Sequence, residues 1–135
     1  MALDTAALKA IPLFASLSDD ELELLVELFN ERSFIAGHVI AKEGTPGFGF
    51  FVIESGTLKV TVRGQERTTL GPGSYFGEIA LIDPGPRAAT VTTESPVVAH
   101  MLSATEFRPL VQSHPALAWA LLEGFARMLR REEVD

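Results

Sequence analysis

Two residues of opposite charge, Glu78 and Arg87, stand in a stretch otherwise rich in small and apolar residues, YFGEIALIDPGPRAATV from Tyr75 to Val91. Burying an unpaired charge costs several kcal/mol, so each of them must face something. Arg87 offers a planar fork of N–H donors that matches phosphate oxygens two at a time. Gly77, lacking a Cβ, lets the backbone approach a ligand, and Glu78 to Ile82 suit one helical turn whose free N–H groups face an anion. Pro84, Gly85 and Pro86 fold the chain back. Ala88 and Ala89 then add backbone donors without side-chain bulk, before Thr90 and Val91 resume a strand. Glu78 cannot hold the same anion, being negative itself, but it suits a hydroxyl donor such as a ribose 2′-OH. An anion beside a sugar hydroxyl describes a nucleotide-like ligand. The competing reading is an internal ion pair between Glu78 and Arg87 across the turn.

The other groups that could do chemistry do not converge. The histidines, His38, His100 and His114, are far apart in sequence and form no His-x-His pair, so no metal site is expected. Cysteine is absent, which removes disulfides, cysteine-held clusters and thiol catalysis. No serine sits in a Gly-x-Ser-x-Gly elbow, and the acidic pairs Asp19/Asp20 and Glu132/Glu133 read as solvated helix faces. No catalytic residue and no cofactor is expected. Arg127, Arg130 and Arg131 cluster near the chain end, where cations complement a helix dipole, and nearby acids dilute them. With 11 basic against 18 acidic residues and a net charge of −7, the chain is a poor partner for a phosphate backbone. Direct nucleic-acid binding is therefore not expected. No run reaches the ~20 apolar residues of a membrane span, and the first residues lack a basic leader. A cytoplasmic protein without a membrane partner is the expectation.

The elements that must position Glu78 and Arg87 follow from periodicity. Ser18 with Glu21 forms a capping-box signature, and Leu22, Leu25, Val26 and Phe29 recur at helical spacing behind it. A shorter helix is predicted over Thr5 to Lys9, ahead of Pro12. From Arg32 to Ser103, short β-prone runs are divided by glycines, and Leu58, Val60 and Val62 alternate onto one face. Helix then returns, with Ser103 and Glu106 as a second capping box and Pro115 at a helix start. We expect a single domain over 1–135: N-terminal helices over 1–31, strands over 32–103 and helices over 104–135. The predicted fold is mainly β with flanking helices, a jelly-roll-like β-barrel.

FGEIAL followed by PRAATV resembles the phosphate-binding cassette of the cyclic nucleotide-binding domain family. That family includes protein kinase A regulatory subunits, cyclic-nucleotide-gated channels and bacterial catabolite activators. The N-terminal IPLFASLSDDELELL and the glycine-punctuated strands are similar to its helical segment and β-roll, so the resemblance covers nearly all of 10–133. It implies a sensor rather than an enzyme, with Arg87 on the cyclic phosphate and Glu78 accepting from the ribose 2′-OH. Gly77, Ile79, Ala80 and Pro86 would line the cassette, and the amides of Ala88 and Ala89 would complete the cradle. Members that prefer cGMP often carry Thr where Ala88 stands, so the resemblance favours cAMP over cGMP as ligand. The last two helices match the family's hinge and lid, and a partner protein of unspecified kind would read their movement. Phe125, Met128, Leu129 and Arg131 are the candidates for the lid residue that caps the base. The apolar positions Leu121, Leu122, Phe125, Met128 and Leu129 read first as core or as part of the lid, and after those as the seam of a homodimer through the C-terminal helix.

Overall fold

The computed structural model describes residues 3–47 and 49–134, with side chains through Arg130. The chain divides into two compact units, Phe29–Thr105 on one hand and Leu3–Leu28 with the chain from Glu106 onward on the other. The first unit holds eight strands: β1 (Asn30–Phe34), β2 (Val39–Ala41), β3 (Gly49–Ser55), β4 (Leu58–Val62), β5 (Gln65–Leu70), β6 (Tyr75–Phe76), β7 (Thr90–Thr93) and β8 (Val97–Ser103). They pair antiparallel in two four-stranded sheets, ordered β1-β8-β3-β6 and β2-β7-β4-β5. The mainly β fold with flanking helices is thus present, but the sheets do not close into the barrel predicted from the sequence. Two of the four edge strands, β6 with 2 residues and β2 with 3, offer little backbone for pairing across the open side.

Alternate residues from the inner faces form the core between the sheets: Phe51, Ile53, Val97 and Ala99 from one, Ala41, Leu58 and Val91 from the other. Val60 packs against this cluster on the face it shares with Leu58, as the alternation in the sequence requires. The chain changes sheet at nearly every connection; only β4 and β5 are sequential neighbours within one sheet. This crossing brings the segment between β6 and β7, which carries Glu78 and Arg87, close to the loop between β2 and β3 through a bridge from Pro46 to Pro86.

The second unit is helical. In α1 (Thr5–Lys9) the Asp4 carboxylate accepts from the Ala7 N–H at 2.8 Å. In α2 (Asp19–Leu28) the predicted capping box forms, the Glu21 N–H donating to Ser18 Oγ at 3.2 Å and the Ser18 N–H to Glu21 Oε1 at 2.8 Å. α3 (Ala104–Ser113) follows β8 without a break, and α4 (Pro115–Val134) starts on the proline that suits a first helical position. Among the described residues, no helix is long and apolar enough to cross a membrane.

The apolar positions of α4 divide into two faces. Leu117, Ala120, Leu121 and Gly124 are buried at i, i+3, i+4, i+7 spacing, and α4 packs here against the 3₁₀ turn Pro12–Phe14. Leu122 and Leu129 fall on the opposite side and are exposed, together with Trp119. The close approach depends on Gly124, where a Cβ would stand 2.2 Å from the Leu13 carbonyl oxygen. In an ordinary helix interior, Gly→Ala stabilises by ~1 kcal/mol. Here the added methyl must push the backbone of Leu13 aside, an overpacking cost of about 1–3 kcal/mol. Gly124→Ala is therefore expected to lower the thermal midpoint; a midpoint raised in a melting scan would show that α4 has room at this position.

Candidate functional site

Gly77 has φ +91°, in the left-handed region that favours glycine, and the chain turns there out of β6. Glu78 caps a single 3₁₀ turn, Ile79–Leu81, closed by the Ala80 N–H on the Gly77 carbonyl at 3.1 Å and the Leu81 N–H on the Glu78 carbonyl at 3.3 Å. The predicted helical turn is there, in the tighter 3₁₀ form. Ala80 and Leu81 point inward and are buried, which fixes the turn against the sheet unit. The N–H groups of Glu78 and Ile79, and those of Ala88 and Ala89 across the loop, donate to no partner among the described residues.

Arg87 is held by one loop at three points. Its backbone N–H donates to the Thr45 carbonyl at 2.8 Å, and its carbonyl accepts from the Gly44 N–H at 2.9 Å. Its Nη2 donates to the Gly49 carbonyl at 3.0 Å. The guanidinium fits because glycines surround it. A Cβ at Gly47 would stand 2.0 Å from Nε of Arg87, and one at Gly77 would stand 2.8 Å from Nη1 and 2.4 Å from the Gly49 oxygen. Burial lowers the Arg87 pKa from its ordinary value, and the nearby Glu78 carboxylate partly offsets this. Glu78 and Arg87 nonetheless form no direct ion pair. The internal Glu78–Arg87 bridge is therefore not how these charges are accommodated.

The residues from Gly77 to Arg87 wrap a cavity of about 250 Å³, near the lower end of the ~300–1,000 Å³ that small-ligand sites span. Gly77, Glu78, Ile79, Ala80, Pro86, Arg87, Ala88 and Ala89, all singled out from the sequence, line it. Sequence reasoning missed its apolar wall, Ala41, Val60, Phe76 and Val91, and the acid Asp83 beside the turn. It also missed the loop carrying Thr45, Gly47 and Gly49, although the glycine density of GTPGFG ahead of an apolar strand was a signal. Every lining residue belongs to the sheet unit. The lid candidates Phe125, Met128 and Leu129 lie on α4 in the helical unit, the first two half-buried and Leu129 exposed. The side chain of Arg131 lies outside the described residues.

The arrangement places one half-buried cation, free backbone donors and a carboxylate around an apolar-walled cavity. Comparisons with known proteins identify the family. A family model described as the cyclic nucleotide-binding domain matches residues 31–114. A CRP-like cAMP-activated global transcriptional regulator of Mycobacterium tuberculosis is 32% identical over 88% of this chain and 55% of its own length. A cAMP-dependent protein kinase regulatory subunit of Emericella nidulans is 36% identical over 78% of this chain and 26% of its own. The chain thus spans about half, or less, of the length of these curated relatives. Among solved structures, the N-terminal domain of a transcriptional regulator from Streptomyces coelicolor aligns with a TM-score of 0.84 at 32% identity, covering 94% of this chain and 92% of that one. The regulatory domain of Toxoplasma gondii protein kinase A, solved with cAMP, aligns with a TM-score of 0.70 at 32% identity, covering 78% of this chain and 42% of that one. The chain belongs to the cyclic nucleotide-binding domain family.

Proposed function

We propose that this domain is a cyclic nucleotide sensor without catalytic activity, tuned to cAMP. The observation that carries this is Arg87: a desolvated guanidinium beside a cavity, with no carboxylate in direct contact. A cyclic phosphate would complete its charge balance and occupy the free N–H groups of Glu78, Ile79, Ala88 and Ala89. Glu78 would accept from the ribose 2′-OH, and the apolar wall would take the base. Ala88 offers no hydroxyl to a guanine amino group, which supports cAMP over cGMP. The relatives named for cAMP point the same way. We also propose a cytoplasmic location, with no direct contact between this domain and nucleic acid or membrane.

Occupancy would pass to the helical unit through α3 and α4, with a residue among Phe125, Met128, Leu129 and Arg131 closing over the base. α4 also supports a homodimer. Trp119, Leu122 and Leu129 are 66%, 58% and 61% exposed, and with Ala126 they recur at 3-4-3 spacing, the seam of a two-stranded coiled coil. Output to a partner protein would use this helix.

Calorimetric titration of the wild type is expected to show tighter binding of cAMP than of cGMP. Arg87→Ala should weaken cAMP by at least about 30-fold, since losing a desolvated charge contact costs roughly 2 kcal/mol or more. Unchanged affinity would remove Arg87 from the site. Gly47→Ala, whose methyl meets the guanidinium, should also weaken cAMP, by about tenfold, while far-ultraviolet circular dichroism stays that of the wild type. Equal affinity in this variant would mean that Arg87 need not lie where Gly47 holds it. Sedimentation equilibrium should show a dimer that Leu122→Glu converts to monomer, and a wild-type monomer at all concentrations would exclude the α4 seam.

A further inference from the structure

A second group of polar side chains lies apart from the cavity. Glu31, His100 and Glu54 stand on β1, β8 and β3, three adjacent strands of one sheet. Glu31 is directly opposite His100 in the β1–β8 register. Glu54 sits where the β3–β8 register slips between Ile53 and Ser55, and its Oε1 comes within 2.8 Å of His100 Nε2. His100 alternates with Ala99 and Met101, which belong to the core between the sheets, so the trio is on the sheet's other face. One donor atom from each residue lies within 4.8 Å of the other two. Glu54 and His100 are half-buried and Glu31 is exposed. Among the described residues, no lysine or arginine forms an ion pair with either carboxylate.

We infer that Glu31, Glu54 and His100 form a binding site for one divalent cation of the zinc class. Two carboxylates converging on one imidazole supply two negative charges and one nitrogen, which matches a dication in both charge and donor type. Tetrahedral zinc, bound at about 2.0–2.2 Å, holds its ligand atoms roughly 3.4 Å apart. Here His100 and Glu54 stand 2.8 Å apart, and all three donor atoms lie within 4.8 Å of one another, so small adjustments reach that spacing. The 2.8 Å hydrogen bond between His100 and Glu54 would open slightly as the metal replaces the shared proton. Glu31, exposed on its strand, makes the larger adjustment. Three protein ligands leave a fourth position for water. The imidazole sets the preference, because magnesium and calcium favour oxygen-only sets. The cation would relieve the repulsion between the carboxylates and tie three neighbouring strands together, with no part in holding nucleotide.

Equilibrium dialysis of the full chain against zinc should show one ion per chain. Both Glu31→Gln and His100→Gln should weaken it at least tenfold, and excess magnesium should not displace it. Zinc at about a hundred times its dissociation constant should also raise the thermal midpoint of the wild type by several degrees. Glu31→Gln lies on an exposed position and keeps the test valid if His100→Gln weakens the fold. Absence of stoichiometric zinc would overturn the inference, leaving His100 and Glu54 as a plain hydrogen-bonded pair. So would zinc affinity unchanged in Glu31→Gln, or magnesium competing on equal terms.

Discussion

The structure around the cavity depends on keeping one guanidinium half out of water. A half-exposed guanidinium gives up only part of its hydration, because solvent still screens the rest, and a hydrogen bond to its charged group returns some of that loss. Arg87 has one such bond from its side chain, to the Gly49 carbonyl, and the attraction of Glu78 at a distance. That leaves a deficit which an anion at the cavity can remove. The deficit persists because the surroundings deny the guanidinium an easier position. Gly47 and Gly77 pass so close that no side chain fits between, and the backbone of Arg87 is fastened to Thr45 and Gly44. Loop, turn and strand start are thus all built around one side chain.

The same constraint explains why some of the site was legible in the sequence and some was not. Gly77, Glu78, Arg87, Ala88 and Ala89 are close in sequence, so their types and spacing already described an anion cradle. The helices announced themselves through local chemistry, the capping box at Ser18 and Glu21 and the proline at the start of α4. Residues that meet only through sheet crossing left no local mark. Ala41, Val60, Phe76 and Val91 read as ordinary core positions, and only the order of strands shows that they wall the cavity. Glu31, Glu54 and His100 are another such case, one residue from each of three strands. β6, with 2 residues, is too short to show alternation at all. That the two sheets stay open was not legible for a related reason, because composition reports strands and turns but not whether the sheets close.

The apolar positions of α4 teach a separate lesson. At helical spacing, Leu121, Leu122, Phe125, Met128 and Leu129 look like one stripe. The structure divides them, because the buried face follows Leu117, Ala120, Leu121 and Gly124 and is set by how closely the helix approaches Leu13. A glycine within a helix, costly by propensity alone, marked the true packing face better than the leucines did.

A sensor of the kind proposed must turn occupancy of its cavity into a change of state. A ligand moves an equilibrium only by the difference between its affinities for the two states. Micromolar binding is worth about 8 kcal/mol in total, and inverting a population from 1:99 to 99:1 takes roughly 5.5 kcal/mol of differential affinity. A switch of that size must therefore draw most of the binding energy from a difference between its two states. Arg87 is fixed by its bonds to Gly44, Thr45 and Gly49, so its contact with a phosphate can supply affinity but little difference. The difference has to come from contacts that exist in one state only.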